Sequence, residues 1–96
     1  MLNRKLTPII AGRTVKSAKQ TDGVLEIRFT DDSAMKIKTG APFTDSIAGR
    51  KVKAVRQKAT EFDLDFADGT SSALTLAEET SSVMVRDHKG VLEYAD

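Results

Sequence analysis

The sequence contains no cysteine and no tryptophan, and only 5% of its residues are aromatic. The absence of cysteine excludes a disulfide framework and a thiolate metal site, and it suits a reducing compartment. The apolar stretch nearest the N-terminus covers only residues 8–11, which is too short for a signal-peptide core or a membrane span. We therefore expect a cytoplasmic protein that does not bind a membrane.

Glycine and proline are also few, six and two, and they form neither a glycine-rich phosphate loop nor a nucleophile elbow. The rest of the composition is that of an ordinary globular chain, with 40% hydrophobic and 30% charged residues among 96. It predicts a single folded domain over residues 1–96.

Residues 1–58 hold 13 Lys and Arg against 5 Asp and Glu, whereas residues 59–96 hold 2 against 9. This asymmetry favours an anion-binding face, or pairing between the two halves or between two molecules.

The chain contains two tandem copies of one unit, residues 10–38 and residues 47–75, which align without a gap. Six of seven positions are identical between residues 10–16 and 47–53, at a constant offset of 37 residues. Further along, the matches fall on apolar and turn positions, while the outward charges differ between the copies. A shared core is therefore predicted, and a functional site is expected in one copy or at the junction of the two.

Period-two alternation predicts strands with one buried face, and residues 25–29 alternate apolar and charged side chains in this way. The second copy repeats the pattern, and residues 80–96 add a C-terminal hairpin. The predicted fold class is all-β, a small barrel or two-sheet sandwich of about eight short antiparallel strands, made from two tandem three-stranded meanders plus the hairpin. Short helical turns are predicted before each repeat, at residues 6–9 and ending at Gly49.

No residue or motif forms a convincing catalytic or metal site. His88 is the single histidine, and it lies in a predicted turn with no nucleophile near it in the sequence. The acids Asp63, Asp65 and Asp68 lack the spacing and the bidentate glutamate of a calcium-binding loop. We therefore expect a protein that is not an enzyme and that uses no cofactor and no metal.

Basic residues recur along the first strand of each copy and form the candidate site for an anion or a nucleic acid. They are Arg13, Lys16 and Lys19 in the first copy and Arg50, Lys53 and Arg56 in the second. Two such strands near one another would neutralise phosphates. Alternatively, acids on the next strand, Glu26, Asp63 and Asp65, pair with these cations. Most phenylalanines alternate into the core, so only Phe43 and Tyr94 remain for stacking on bases.

Two functions of different classes follow. The first is a non-enzymatic protein-interaction domain, which uses an exposed strand edge or its charged surface to bind a protein partner or a second copy of itself. The alternative is weak nucleic-acid binding through the doubled basic strands. The string Phe66-Ala67-Asp68-Gly69 resembles a turn that is common in small bacterial β-domains, and this likeness favours a bacterial source without implying a role.

Overall fold

The computed structural model describes all 96 residues, which form eight strands and one short helix. The helix α1 is Thr7–Ile10, and the strands are β1 (Val15–Thr21), β2 (Val24–Phe29), β3 (Ala34–Lys38), β4 (Val52–Lys58), β5 (Glu61–Phe66), β6 (Ser71–Thr75), β7 (Val83–Arg86) and β8 (Leu92–Ala95). The larger sheet has the order β1-β2-β3-β7-β8, and the smaller sheet has the order β4-β5-β6. The predicted all-β class is confirmed, and of the two predicted architectures the protein adopts the two-sheet sandwich.

The two meanders are built alike. Strands β4, β5 and β6 begin and end 37 residues after β1, β2 and β3. Both first strands carry a β-bulge at the same place, after Val15 and after Val52. The tight turns that follow them differ, because Asp22 and Gly23 both have positive φ, 51° and 78°, whereas in the second unit only Ala59 does, at 54°. The repeat therefore extends from the sequence to the backbone, with one local exception where the second turn lacks glycine.

A pseudo-two-fold axis relates the two units. Thr14 pairs with Lys51 and Thr39 pairs with Leu76, and in both pairs the two residues are equivalent positions of the repeat. Residues that pair with their own equivalents lie on opposite sides of a two-fold axis. The flanking backbone hydrogen bonds occur in reciprocal sets with N···O distances of 2.7–2.9 Å. These two bridges connect the larger sheet to the smaller one.

One hydrophobic core of 18 buried residues lies between the sheets. Its largest side chains are Phe29 on β2 and Phe62 and Phe66 on β5, which occupy the inward positions of alternating strands. Full burial of such a side chain stabilises the fold by about 1.5–3 kcal/mol. Because the three phenylalanines come from both meanders and belong to one cluster, the two units share a single core.

The predicted helical turn forms before the first repeat but not before the second. At the first, the side-chain oxygen of Asn3 accepts hydrogen bonds from the chain entering α1, one of them at 2.9 Å. The second prediction is wrong, since residues 43–47 contain no helix and only a turn ends at Gly49. The backbone N–H of Phe43 donates instead to the side-chain oxygen of Gln20 on β1 at 2.9 Å. This bond holds the linker to the first unit. Asp45 stands where α1 has Pro8, so the linker lacks the proline that presets the first turn of α1.

Candidate interaction surfaces

The six basic residues of the predicted anion site are divided between the two sheets. They are Lys16 and Lys19 on β1 of the larger sheet, Lys53 and Arg56 on β4 of the smaller sheet, and Arg13 and Arg50 just before those strands. The Thr14–Lys51 bridge is the pairing that connects β1 to β4. The six basic residues therefore do not form one cluster. The three arginines differ most in the residues that they contact.

Arg56 is neutralised by acids of the neighbouring strand β5. Its guanidinium donates two hydrogen bonds to Asp65, at 2.8 and 2.9 Å, and lies 3.8 Å from Asp63. The bonds from Arg56, with a further one from the Ser71 hydroxyl, hold the pKa of Asp65 below its ordinary value. For Arg56, the predicted pairing with acids of the next strand is therefore the one observed. An anion could bind Arg56 only by breaking this ion pair.

Arg13 is occupied by the C-terminal hairpin. Its guanidinium donates to both carboxylate oxygens of Glu93 on β8, at 2.9 and 2.8 Å, and to the Ser33 hydroxyl at 3.1 Å. Asp31 lies 3.5 Å away, and the Phe29 ring centre is 6.0 Å from the guanidinium carbon. The hydrogen bond to Glu93 is the main cause that raises the pKa of Arg13. With only 18% of its side chain exposed, Arg13 anchors the hairpin and offers little surface to a ligand.

Arg50 holds the equivalent position in the second unit. The acid nearest to it is Asp68, the equivalent of Asp31. The hydrogen bond from Thr70 is the main cause that lowers the pKa of Asp68, and the charge of Arg50 helps to lower it. The guanidinium carbon of Arg50 lies 5.8 Å from the Phe66 ring centre, and the guanidinium donates to the Thr70 hydroxyl at 2.8 Å. Both contacts repeat those that Arg13 makes in the first unit. Arg50 nevertheless forms no ion pair. The chain has one C-terminal hairpin, and it packs against the first unit.

The outer face of the larger sheet is basic. Lys19, Glu26 and Lys36 lie side by side across β1, β2 and β3. Glu26 pairs with Arg28 at 3.0 Å and with Lys36 at 3.9 Å, whereas Lys19 and Lys38 form no ion pair. The outward charged positions of the first unit are Lys16, Lys19, Glu26, Arg28, Lys36 and Lys38. Five basic residues therefore face one acid.

The second unit does not repeat this charge pattern. Its equivalent positions are Lys53, Arg56, Asp63, Asp65, Ala73 and Thr75, so two basic residues face two acids. Sequence reasoning missed Arg28, Lys36 and Lys38 as members of a basic face, because it followed only the first strand of each copy. The alternation along β3 is the signal that marks Lys36 and Lys38 as outward. The basic face thus belongs to one copy.

A groove of about 640 Å³ lies where this basic face meets the C-terminal hairpin, and Asp96 is part of its wall. Val24, Met84 and Ala95 give it an apolar surface, and Lys36 and Lys38 are among its lining residues. None of the five aromatic side chains in the protein is fully exposed, since three phenylalanines are buried and the other two aromatic residues pack against the core. The face therefore has cations for phosphates but no aromatic platform for bases.

Three of the four strand edges of the two sheets carry features that prevent further pairing. β1 has a bulge and exposed lysines, and its Gln20 side chain binds the linker. β4 has a bulge as well, and the N-terminal segment runs beside it, with Asn3 N donating to Val55 O at 2.7 Å. β8 is only four residues long and its pairing with β7 is irregular. Bulges, charges and covering segments are the usual means of blocking an edge.

The edge of β6 has none of these features. Ser71–Thr75 contains no charged residue and no proline, and its pairing with β5 is regular. Thr70 and Leu76 form their backbone hydrogen bonds on the β5 side. Because the bonding direction alternates along a strand, the N–H and C=O groups of Ser71 and Ala73 point away from β5. Only Thr75 O at the end of the strand is used, accepting from Gly40 N at 2.8 Å.

His88 is exposed in the turn between β7 and β8, and no group of three or more histidine, cysteine or acidic side chains is placed to hold a metal ion. The one helix is neither long nor apolar enough to cross a membrane.

No protein-family model matches the chain, and neither curated protein sequences nor solved structures give a significant match. The features of the chain itself must therefore support any functional proposal.

Proposed function

We propose that this protein is a non-enzymatic interaction domain of the cytoplasm, which binds another polypeptide by strand addition at the edge of β6. The observation that carries this proposal is the contrast between edges. Three are blocked by bulges, charges, covering segments or short irregular pairing, and β6 alone presents free backbone groups on a regularly paired, uncharged strand. Native proteins that leave such an edge open commonly use it to pair with a partner strand.

The size of the edge limits what the backbone alone contributes. A partner strand would meet about five outward N–H and C=O groups between Ser71 and Thr75, each worth about 0.5–1.5 kcal/mol net. Association costs at least about 4 kcal/mol in lost freedom. Backbone pairing by itself therefore gives weak binding, and side-chain contacts beyond the edge must supply both affinity and specificity.

Selection from a displayed library of random 12-residue peptides tests the proposal. We expect peptides rich in β-branched residues to be enriched on the full chain and to lose binding to the Ala73→Pro variant. Proline removes the outward N–H of Ala73, which no other strand uses, so the fold should persist. Ala73→Val is the matched control, because it keeps the N–H and favours a strand.

Circular dichroism and unfolding would confirm that both variants fold. Enriched peptides that bind the wild type and Ala73→Val, but not Ala73→Pro, support the proposal. If no peptide is enriched, or if every enriched peptide binds Ala73→Pro as tightly as the wild type, strand addition at β6 is wrong.

The basic outer face of the larger sheet supports a second candidate, nucleic-acid binding through phosphates. Its test compares Lys36→Ala/Lys38→Thr, which installs the residues of the second unit, with Lys53→Ala/Lys58→Ala, which removes two charges from the other sheet. Labelled single- and double-stranded oligonucleotides are titrated at low and moderate salt. A loss of affinity of about ten-fold or more confined to the first variant supports the candidate, and absence of salt-dependent binding removes it.

A further inference from the structure

The first unit shows how a strand docks on the position that is open in the second unit. β7 runs antiparallel to β3, with Lys36 opposite Met84 and Ile37 opposite Val83. Val83 and Val85 point inward and are buried. By the pseudo-two-fold axis, β6 is the equivalent of β3, and nothing occupies the place of β7 beside it. The fold thus contains one filled and one vacant copy of the same docking edge.

The inward side chains of β3 and β6 differ more in size than in burial. Ile37 on β3 is completely buried, whereas its equivalent Leu74 on β6 keeps 5% exposure. Ser72 takes the place of Met35, so a small polar residue stands where the first unit has a large apolar one. A strand beside β6 would extend the inner face of the smaller sheet as Val83 and Val85 extend that of the larger sheet, and it would need apolar residues at alternate positions to do so.

Arg50 supplies the second, independent observation. In the first unit, Arg13 lies over a phenylalanine ring, binds a hydroxyl and completes its contacts with the carboxylate of Glu93 from the docked hairpin. In the second unit, Arg50 lies over the equivalent ring and binds the equivalent hydroxyl of Thr70. Asp68 stands where the first unit has Asp31, so the equivalent of Glu93 is the missing component. Arg50 is therefore positioned to accept an acidic side chain from whatever docks beside β6.

We propose that the partner is a polypeptide strand that runs antiparallel to β6, carries apolar residues at two alternate positions, and is followed, after a turn, by a return strand with an Asp or Glu that binds Arg50. This inference rests on the proposed function and adds the chemistry of the partner. The precedent in the chain is β7 with its Val83 and Val85, followed by Asp87 and, on the return strand, Glu93. A second copy that paired its β6 with this β6 would not meet these requirements, because its Leu74 and Leu76 are already buried in its own core.

The peptides selected in the library experiment test this partner chemistry directly. We expect enriched sequences to contain an apolar-x-apolar pattern and an acid eight positions after its second apolar residue, the spacing of Glu93 from Val85. Arg50→Gln should weaken a selected peptide by about ten-fold to a hundred-fold, the range for a charge-assisted hydrogen bond. Lys53→Gln is the matched control, since Lys53 is an exposed cation of the same unit without an ion pair, and it should change affinity less than two-fold. Replacing the acid of the peptide by its amide should cause no additional loss in Arg50→Gln.

The outcomes separate this inference from the proposal on which it rests. Peptides that depend on Ala73 but bind Arg50→Gln as well as the wild type would overturn the acidic-partner inference and leave strand addition at β6 intact. The same holds if sedimentation shows a β6-to-β6 dimer that Ala73→Pro dissociates and Arg50→Gln does not. If no peptide is sensitive to Ala73→Pro, both the inference and the proposed function fail. The Arg50→Glu variant reverses the charge at this position. Selection on it should enrich peptides with Lys or Arg where the wild type enriches Asp or Glu, and such a reversal would confirm the inference.

Discussion

Replacing Arg13 by glutamine should destabilise the fold much more than the same replacement of Arg50. The two arginines share one position of the repeat, one ring contact and one hydroxyl contact, so these contributions largely cancel in the comparison. They differ in Glu93, which accepts two hydrogen bonds from Arg13 at 2.8 and 2.9 Å. They differ also in Asp31, which lies 3.5 Å from Arg13, whereas Arg50 forms no ion pair with the equivalent Asp68. The comparison therefore reports on the acids bound by Arg13, chiefly the Glu93 contact that fastens the C-terminal hairpin to the first unit.

The burial of the pair sets the expected magnitude. The side chains of Arg13 and Glu93 are 18% and 26% exposed, so solvent screens their attraction only in part. Hydrogen bonds to charged groups contribute about 1.5–3 kcal/mol when covered, and the partly covered geometry places this bidentate pair near the middle of that range. We expect Arg13→Gln to lower the free energy of unfolding by about 2–3 kcal/mol and Arg50→Gln to lower it by less than about 1 kcal/mol.

Urea unfolding followed by circular dichroism at pH 7 measures both losses. With a slope of about 1 kcal/mol/M for a small domain, the midpoint should fall by roughly 2 M or more for Arg13→Gln and by less than about 1 M for Arg50→Gln. Glu93→Gln in the wild type and in Arg13→Gln completes a double-mutant cycle, with an expected coupling of about 1.5–2 kcal/mol. Losses for the two arginines that agree within about 0.5 kcal/mol would refute the reasoning.

Asp65→Asn should lower stability at pH 7, because Arg56 holds the pKa of Asp65 below its ordinary value. A carboxylate with a depressed pKa contributes stability above its unfolded pKa of about 4 and loses it as the pH falls through the folded pKa, so the difference between wild type and variant in acid titrations should vanish at low pH. Lys36→Pro should destabilise the fold by about 2 kcal/mol or more, since β7 pairs with β3 there, whereas Ala73→Pro at the equivalent open position should be much milder in thermal unfolding. Ala59→Gly should raise the unfolding free energy by up to about 1 kcal/mol, because Ala59 has a φ of 54°; an unchanged or lower value would contradict this.

The strand plan could be predicted from the sequence because it depends on local patterns. Residues 25–29 alternate apolar and charged side chains, and successive residues of a strand point to opposite faces, so this pattern indicates one buried face. Its recurrence 37 residues later predicts a second meander, and the structure has that meander at the same offset. The helical turn expected to end at Gly49 does not form. The linker has Asp45 in place of Pro8, and its backbone is held against the distant Gln20.

The duplication, the period-two strands and the shared core positions were thus determined by the sequence itself. Which cations are free and which edge is open was decided only by the tertiary structure. Arg13 and Arg50 follow the same three residues, Ile-Ala-Gly, yet Arg13 is bound by an acid 80 positions away and Arg50 is not. The fold has two equivalent docking edges but only one hairpin. The hairpin packs on β3, so β6 stays open. Pairing between distant strands is a property of the assembled core, and two nearly identical local sequences therefore end in different surroundings.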